Sequence, residues 1–328
     1  MVQVTSQPVE EQTHEQISVI RTVMDNMGKV IVGKTDVIQL CLVSLIAHGH
    51  ILLEDVPGVG KTMLVRSLAR SLDCQFKRIQ FTPDLLPSDV TGTSVFNQRI
   101  ADFEYRPGPI FGQIVLADEI NRTSPKTQAA LLEALEEQSV TFDGVTHELP
   151  SPFFVLATQN PIEYEGTFPL PEAQLDRFLM KLSVGYPSAT EELSVLMRGV
   201  DGMDVDSLEP VATPRDIELW QTAVSDVYMD QTIYAYVVDI VGRTRVHPQV
   251  YLGVSPRGGI ALAKAARAYA YVEGRKFVLP DDVKRLAPYV LSHRILVHPE
   301  ARIQGISAEL LVADILRETP VPVLPVRR

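Results

Sequence analysis

The chain has 328 residues, 45% hydrophobic and 22% charged, with 30 Lys and Arg against 41 Asp and Glu and a formal net charge of −11. At roughly 150 residues per domain this is two domains' worth of chain, enough for a real core, and the composition excludes a collagen-like, low-complexity or wholly disordered protein. The acidic balance excludes a bulk polyanion binder, and two cysteines, Cys41 and Cys74, make neither a disulfide scaffold nor a zinc site.

Residues 1–12 read as a flexible polar tail, without the basic and apolar regions of a targeting segment. From Gln12 to about Asn26 apolar residues recur at Ile17, Ile20, Val23, Met24 and Met27, a helical spacing, and Val37–Ala47 reads as a second, buried helix. That second stretch is the longest apolar one, yet Gln39 and Ser44 interrupt it and it falls well short of the ~18 residues of a membrane span. A cytoplasmic protein without membrane insertion is expected. Then come short apolar runs at Ile51–Leu53, Phe76–Phe81, Ile114–Ala117, Phe153–Ala157 and Met180–Val184, with helical stretches at Met63–Leu72 and Lys126–Gln138 between them. Such alternation predicts βαβ units, hence an α/β fold with a mainly parallel five-stranded sheet between helices. A possible hairpin around Asn97–Asp102 and a clearer one at Val140–Thr146, turning on Asp143-Gly144, interrupt the pattern. After a helix at Thr190–Arg198 and a polar Asp- and Pro-rich linker, the rest of the chain has helical spacing throughout. The expected division is a tail at 1–12, an α/β core at 13–187, a connecting helix and linker at 188–213 and a helical domain at 214–328.

Two stretches compete as a phosphate-binding loop. Gly28–Thr35 matches GxxxxGK[ST] in full, but a phosphate cradle needs a strand before it and a helix opening on its Lys-Thr, and here a helix precedes. The stretch Asp55-Val56-Pro57-Gly58-Val59-Gly60-Lys61-Thr62, running into Met63, lacks the first glycine but has the right context: strand, Gly-rich loop, helix. Backbone amides at Gly58 and Gly60 would face a phosphate, Lys61 would reach the β- and γ-phosphates, and the Thr62 hydroxyl would ligate Mg²⁺. Further on, the strand Ile114–Ala117 ends in Asp118-Glu119. An Asp there can hold Mg²⁺ and the adjacent Glu can polarise an attacking water. The next strand ends in Thr158-Gln159-Asn160-Pro161, a polar tip that could orient water near the γ-phosphate. No Asn precedes Lys in the manner of guanine-binding loops, so ATP is favoured over GTP.

These motifs in this order, followed by a helical domain, resemble an AAA+ ATPase. Glu54–Thr62, Ala117-Asp-Glu-Ile-Asn-Arg-Thr123, Ala157-Thr-Gln-Asn-Pro161, Leu170-Pro-Glu-Ala-Gln-Leu-Asp-Arg-Phe178 and Ser255-Pro-Arg257 look like the MoxR family, whose nearest relatives are magnesium-chelatase motor subunits. The resemblance implies a P-loop core with an all-helical lid, acting as a homo-oligomeric ring, a hexamer, that hydrolyses ATP with Mg²⁺. It implies that Ile31, Val32 and Gly33 pack on adenine, Asn160 senses the γ-phosphate, Arg177 is the finger given to a neighbour, and Arg257 is the lid's sensor arginine; Arg122 is a further inter-subunit candidate. The plain alternative for Arg177 is a surface pair with Asp176 or Glu172. By resemblance the work is chaperone-like maturation of a client or adaptor protein, often with a von Willebrand factor A domain partner. A chelatase-type motor subunit, a nucleotide-gated scaffold with negligible hydrolysis and a DNA-acting motor are the rivals. Neither Lys284-Arg285 nor Arg327-Arg328 makes a nucleic-acid stripe, and no nucleic acid is expected. The acidic run Glu133/Glu136/Glu137 reads as a solvated helix face, His48 and His50 as structural, and Trp220, Tyr269 and Tyr271 as lid core.

Overall fold

The computed structural model describes residues 7–99, 101–160, 167–200 and 204–322. In chain order these form α1 (Gln7–Gly28), α2 (Thr35–Ile46), β1 (Ile51–Glu54), α3 (Lys61–Ser71), β2 (Phe76–Gln80), α4 (Pro87–Thr91), β3 (Gly92–Asn97), β4 (Asp102–Pro107), β5 (Ile114–Asp118), α5 (Pro125–Glu137), β6 (Ser139–Phe142), β7 (Val145–Glu148), β8 (Phe154–Gln159), α6 (Glu172–Leu175), β9 (Met180–Leu182) and α7 (Ala189–Val200). The lid follows as α8 (Pro214–Val224), α9 (Gln231–Val246), β10 (Val250–Leu252), α10 (Pro256–Val272), α11 (Pro280–Leu291), β11 (Leu296–Val297), α12 (Pro299–Ile303) and α13 (Ala308–Glu318).

Five strands form one sheet in the order β2-β5-β8-β1-β9, every neighbouring pair parallel. The strand residues alternate between two cores, as the two-residue side-chain period requires. Ile51, Leu53, Ile114, Leu116, Phe154 and Leu156 face a cluster with α1, α2, α3 and the lid. Leu52, Val115, Ala117, Val155 and Ala157 face a second cluster under α5. Both faces being covered explains why these strands read as continuous apolar runs.

Two local differences from the sequence expectation have simple causes. Helix α1 opens at Gln7, so the described part of the expected tail is helical; a helix tolerates the polar first turns of this segment. The lid holds one antiparallel pair, β10 with β11, among its helices. Two- and three-residue strands are too short to show a period. The two hairpins, β3–β4 and β6–β7, lie outside the main sheet, and the second turns on Asp143 and Gly144 at positive φ as its sequence demands.

Candidate functional site

Strand β1 delivers the chain to the loop 55–60, and α3 begins at Lys61. Gly58 and Gly60 both have positive φ, and a Cβ built on either meets nothing within 4 Å, so the loop's inner surface is open. The first turn of α3 has no side-chain cap and no acidic residue, whereas α8, α9 and α13 are capped by Thr213, Asp230 and Ser307. An uncapped helix start behind a glycine loop leaves N–H groups directed at an anion. Lys61 Nζ donates to the Asp55 carbonyl at 2.9 Å, which keeps the ammonium folded over that loop. Gly28–Thr35, by contrast, joins α1 to α2 with a helix rather than a strand before it, so it lacks the strand-to-helix setting that a phosphate cradle needs.

Asp55 stands where a first glycine was missing, and its side chain does not serve the loop's mouth. Its buried carboxylate accepts from Ser183 Oγ (2.7 Å), Val184 N (2.6 Å) and Gly185 N (3.1 Å). It ties the loop to the chain leaving β9. Ile31 and Val59 pack on the same hydrophobic cluster, and Lys34 Nζ donates to the Tyr186 carbonyl (3.0 Å), so the α1–α2 link sits beside that same chain segment.

Asp118 and Glu119 lie at the end of β5, between β2 and β8. Thr158 Oγ1 donates to Asp118 Oδ1 (2.6 Å) and accepts from Glu119 N (2.9 Å). This second bond holds Glu119 in a left-handed conformation, φ 60°, that a residue with a Cβ adopts only at a cost of about 1–2 kcal/mol. On the other side Arg78 Nη2 meets Asp118 Oδ2 at 2.6 Å, and Gln80 Nε2 donates to Glu119 Oε2 at 2.7 Å. Arg122 Nη1 stands 3.3 Å from the same Glu119 oxygen. Asn160, buried at the end of β8, accepts through its carbonyl from Asn121 Nδ2 at 3.5 Å; Pro161 lies outside the described residues. Among the described residues no group of three or more His, Cys, Asp or Glu is placed to hold a metal by itself. A sparse set such as Thr62 and Asp118 suits a magnesium ion that arrives with phosphates, because Mg²⁺ keeps waters and phosphate oxygens rather than an all-protein cage.

The arginines are elsewhere. Arg177 precedes β9 and Arg257 opens α10, and both pair with Glu136 at the end of α5, at 3.1 Å each. Arg177 Nη1 also donates to the Leu132 carbonyl. Beside them the almost fully buried Arg294 binds Asp176 (2.6 Å) and the Phe178 carbonyl (2.7 Å), and burial pulls its guanidinium below its usual value. His48, Gly49 and His50, which lead into β1, line the same cavity of about 310 Å³. The arginines therefore sit at the start of the parallel strands, and the glycine loop 55–60 at their end, roughly 13 Å away by the rise of β1 alone.

Glu133, Glu136 and Glu137 are exposed, as a solvated helix face requires, and Glu136 is in addition the acceptor for both arginines. Arg177 pairs with neither Asp176 nor Glu172, since Asp176 is taken by Arg294. Sequence reasoning missed Gln80 and Arg78, and read Thr158 only as part of a polar strand tip, not as the partner of Asp118 and Glu119. Only strand order and register place them beside Asp118 and Glu119, although a polar residue ending each flanking strand was a readable signal.

Residues 50–180 match the family described as "ATPase family associated with various cellular activities (AAA)", and residues 242–315 the AAA lid domain. The chain is 60% identical over 300 residues to the uncharacterized protein YeaC of Bacillus subtilis, covering 92% of this chain and 94% of that protein. It is 41% identical over 303 residues to the chaperone MoxR1 of Mycobacterium tuberculosis, covering 90% and 80%. A crystal structure of a candidate ATPase from Cytophaga hutchinsonii, 40% identical, superposes with a TM-score of 0.91 over 97% of this chain and 99% of that one.

Proposed function

Because the chain belongs to the MoxR family of AAA+ ATPases, we propose that it turns over ATP only as a hexameric ring, in which Arg177 and Arg257 of one subunit complete the phosphate site of the next. One observation carries this reading: both arginines converge on Glu136 at the end of the sheet opposite the chain's own phosphate loop. A guanidinium fixed there is of no use to its own loop and is well placed for a neighbour's.

The open loop 55–60, with the α3 start and Lys61, holds the triphosphate, and Ile31–Gly33 borders the base. Thr62 and Asp118 would hold a magnesium ion, which when bound would offset the charge of the phosphate oxygens. Glu119 takes the proton of the attacking water, and Asn160 orients that water against the γ-phosphate. The arriving arginines counter the charge that develops on the transferred group, an effect worth on the order of 10³-fold or more. The energy released drives chaperone-like work on a partner protein, a reading supported by the name of the Mycobacterium tuberculosis relative. A von Willebrand factor A domain is the partner expected from the family resemblance. We place the protein in the cytoplasm, where ATP is available; no helix among the described residues is long and apolar enough to cross a membrane.

Mixing two dead variants tests the reading. Arg177→Ala subunits keep their own pocket but stall the neighbour's; Lys61→Ala subunits lose their own pocket but still offer a finger. Each alone is expected to be inactive. Co-assembled, they create some interfaces with an intact pocket and an intact finger, and phosphate release should partly return. Mixtures that demonstrably co-assemble and recover nothing would count against a finger acting between subunits.

A further inference from the structure

Two apolar surfaces of the protomer are uncovered. One is a groove of about 450 Å³ on the lid between α9 and α10, with Val238, Val241 and Ile260 among its lining and Arg245, Lys264 and Arg267 around it. Val238 and Ile260 are more than half exposed, and the buried Nε of Arg267 has no hydrogen-bond partner among the described residues. The other is α7, where Leu193, Leu196 and Met197 are each more than half exposed. Their i, i+3, i+4 spacing makes one stripe of the kind that lies in a helix-binding groove, and Glu192 flanks it, one residue before Leu193 and four before Leu196.

The two surfaces belong to opposite ends of the protomer. The chain entering α7 is pinned to the phosphate-loop end, by Asp55 to Val184 and Gly185 and by Lys34 to Tyr186. The groove belongs to the arginine end: α10 carries Arg257 in its first turn, and Ile260 and Lys264 also line the cavity that holds Arg177 and Glu136. An arginine end meeting the next subunit's phosphate-loop end brings groove and stripe to the same junction.

We propose that α7 of one subunit docks its Leu193–Leu196–Met197 stripe in the α9–α10 groove of a second copy of this chain. The charges match, with the acidic Glu192 beside the stripe and basic Lys264 and Arg267 beside the groove. Docking within one chain is disfavoured because it would pull residues 184–186 off Asp55 and Lys34. The inference rests on the ring reading above, and it adds a junction between one subunit's α7 and the next subunit's α9–α10 groove.

The test is assembly with ATP, followed by sedimentation velocity, with nucleotide affinity of the dissociated protomer measured alongside. All four target side chains are exposed, so the variants are expected to fold and to bind ATP as wild type does. Leu196→Asp and Ile260→Asp should each weaken association about tenfold or more, the scale set by losing one buried aliphatic side chain. Glu192→Arg and Lys264→Glu should each weaken it, and the double variant should recover a good part of the loss. If wild type assembles and all of these variants assemble equally well, the docking is wrong while the ring stands. If wild type stays monomeric with ATP at micromolar concentration, the ring and the docking both fall.

Discussion

Two lysines in similar sequence contexts have different surroundings. Lys61 stands at the open end of a glycine loop and an uncapped helix, and Lys34 is spent on the Tyr186 carbonyl. Lys61→Ala is therefore expected to abolish ATP binding, whereas Lys34→Ala leaves affinity within a few-fold; titration of a fluorescent ATP analogue decides, and the reverse result would move the site to the other loop. His50 shows a second residue-scale effect. Val155 N donates to its Nδ1 at 3.1 Å, so Nε2 carries the proton and donates to the Leu135 carbonyl at 3.2 Å. The neutral ring is fully satisfied, and burial lowers its pKa from 6.5 to about 4. The unfolded chain takes up this proton first, so the stability the neutral ring contributes is complete above pH 6.5 and is lost as pH falls towards 4. The loss approaches roughly 3 kcal/mol over that range. Urea unfolding as a function of pH should show this slope, and His50→Gln should flatten it by one proton.

At the scale of elements, β5 works because of what flanks it. Gln80 at the end of β2 holds the Glu119 carboxylate, and Thr158 near the end of β8 holds its backbone. If Glu119 is the proposed base, Gln80 positions it: Gln80→Ala should lower kcat about tenfold, the scale of a hydrogen bond to a charged group, with ATP affinity unchanged. An equal loss in affinity would mean that Gln80 serves the loop instead. Strand and helix identities were legible in the sequence because both sheet faces are buried, which makes apolar runs such as Ile114–Ala117 unmistakable. The full GxxxxGK[ST] match at Gly28–Thr35 could be set aside for want of a preceding strand, and the structure shows α1 there. What was not legible depends on long-range register. Glu136 joins Arg177 and Arg257 across separations of 41 and 121 residues, and no local pattern encodes such a meeting.

The whole protomer behaves as one packed body rather than a core with a loose lid. A single hydrophobic cluster runs from Ile20 in α1 through Ile51 in β1 to Ile315 in α13. Gln221 of the lid donates to the Leu45 carbonyl at 2.9 Å, and Arg294 clamps the chain at Asp176 and Phe178. Arg257 on the lid and Arg177 on the core are thereby held on one carboxylate.

That shared carboxylate leaves the arginine end short of anions. Arg177, Arg257, Arg294 and Lys264 line one cavity with only Glu136 and Asp176 to balance them, a surplus of positive charge on a chain whose net charge is −11. In the proposed ring, a neighbour presenting a bound polyphosphate would thus be drawn in through the solvent before any surfaces touch. Subunit encounter should slow markedly as salt rises from 50 to 500 mM, because the Debye length shrinks from roughly 14 Å to about 4 Å. Stopped-flow light scattering after ATP addition would measure it, and replacing Lys264 by Gln should make the rate less sensitive to salt. On the proposed ring the nucleotide would act as bait: an empty pocket lacks the charge that calls the next subunit in, and assembly would grow where it is loaded.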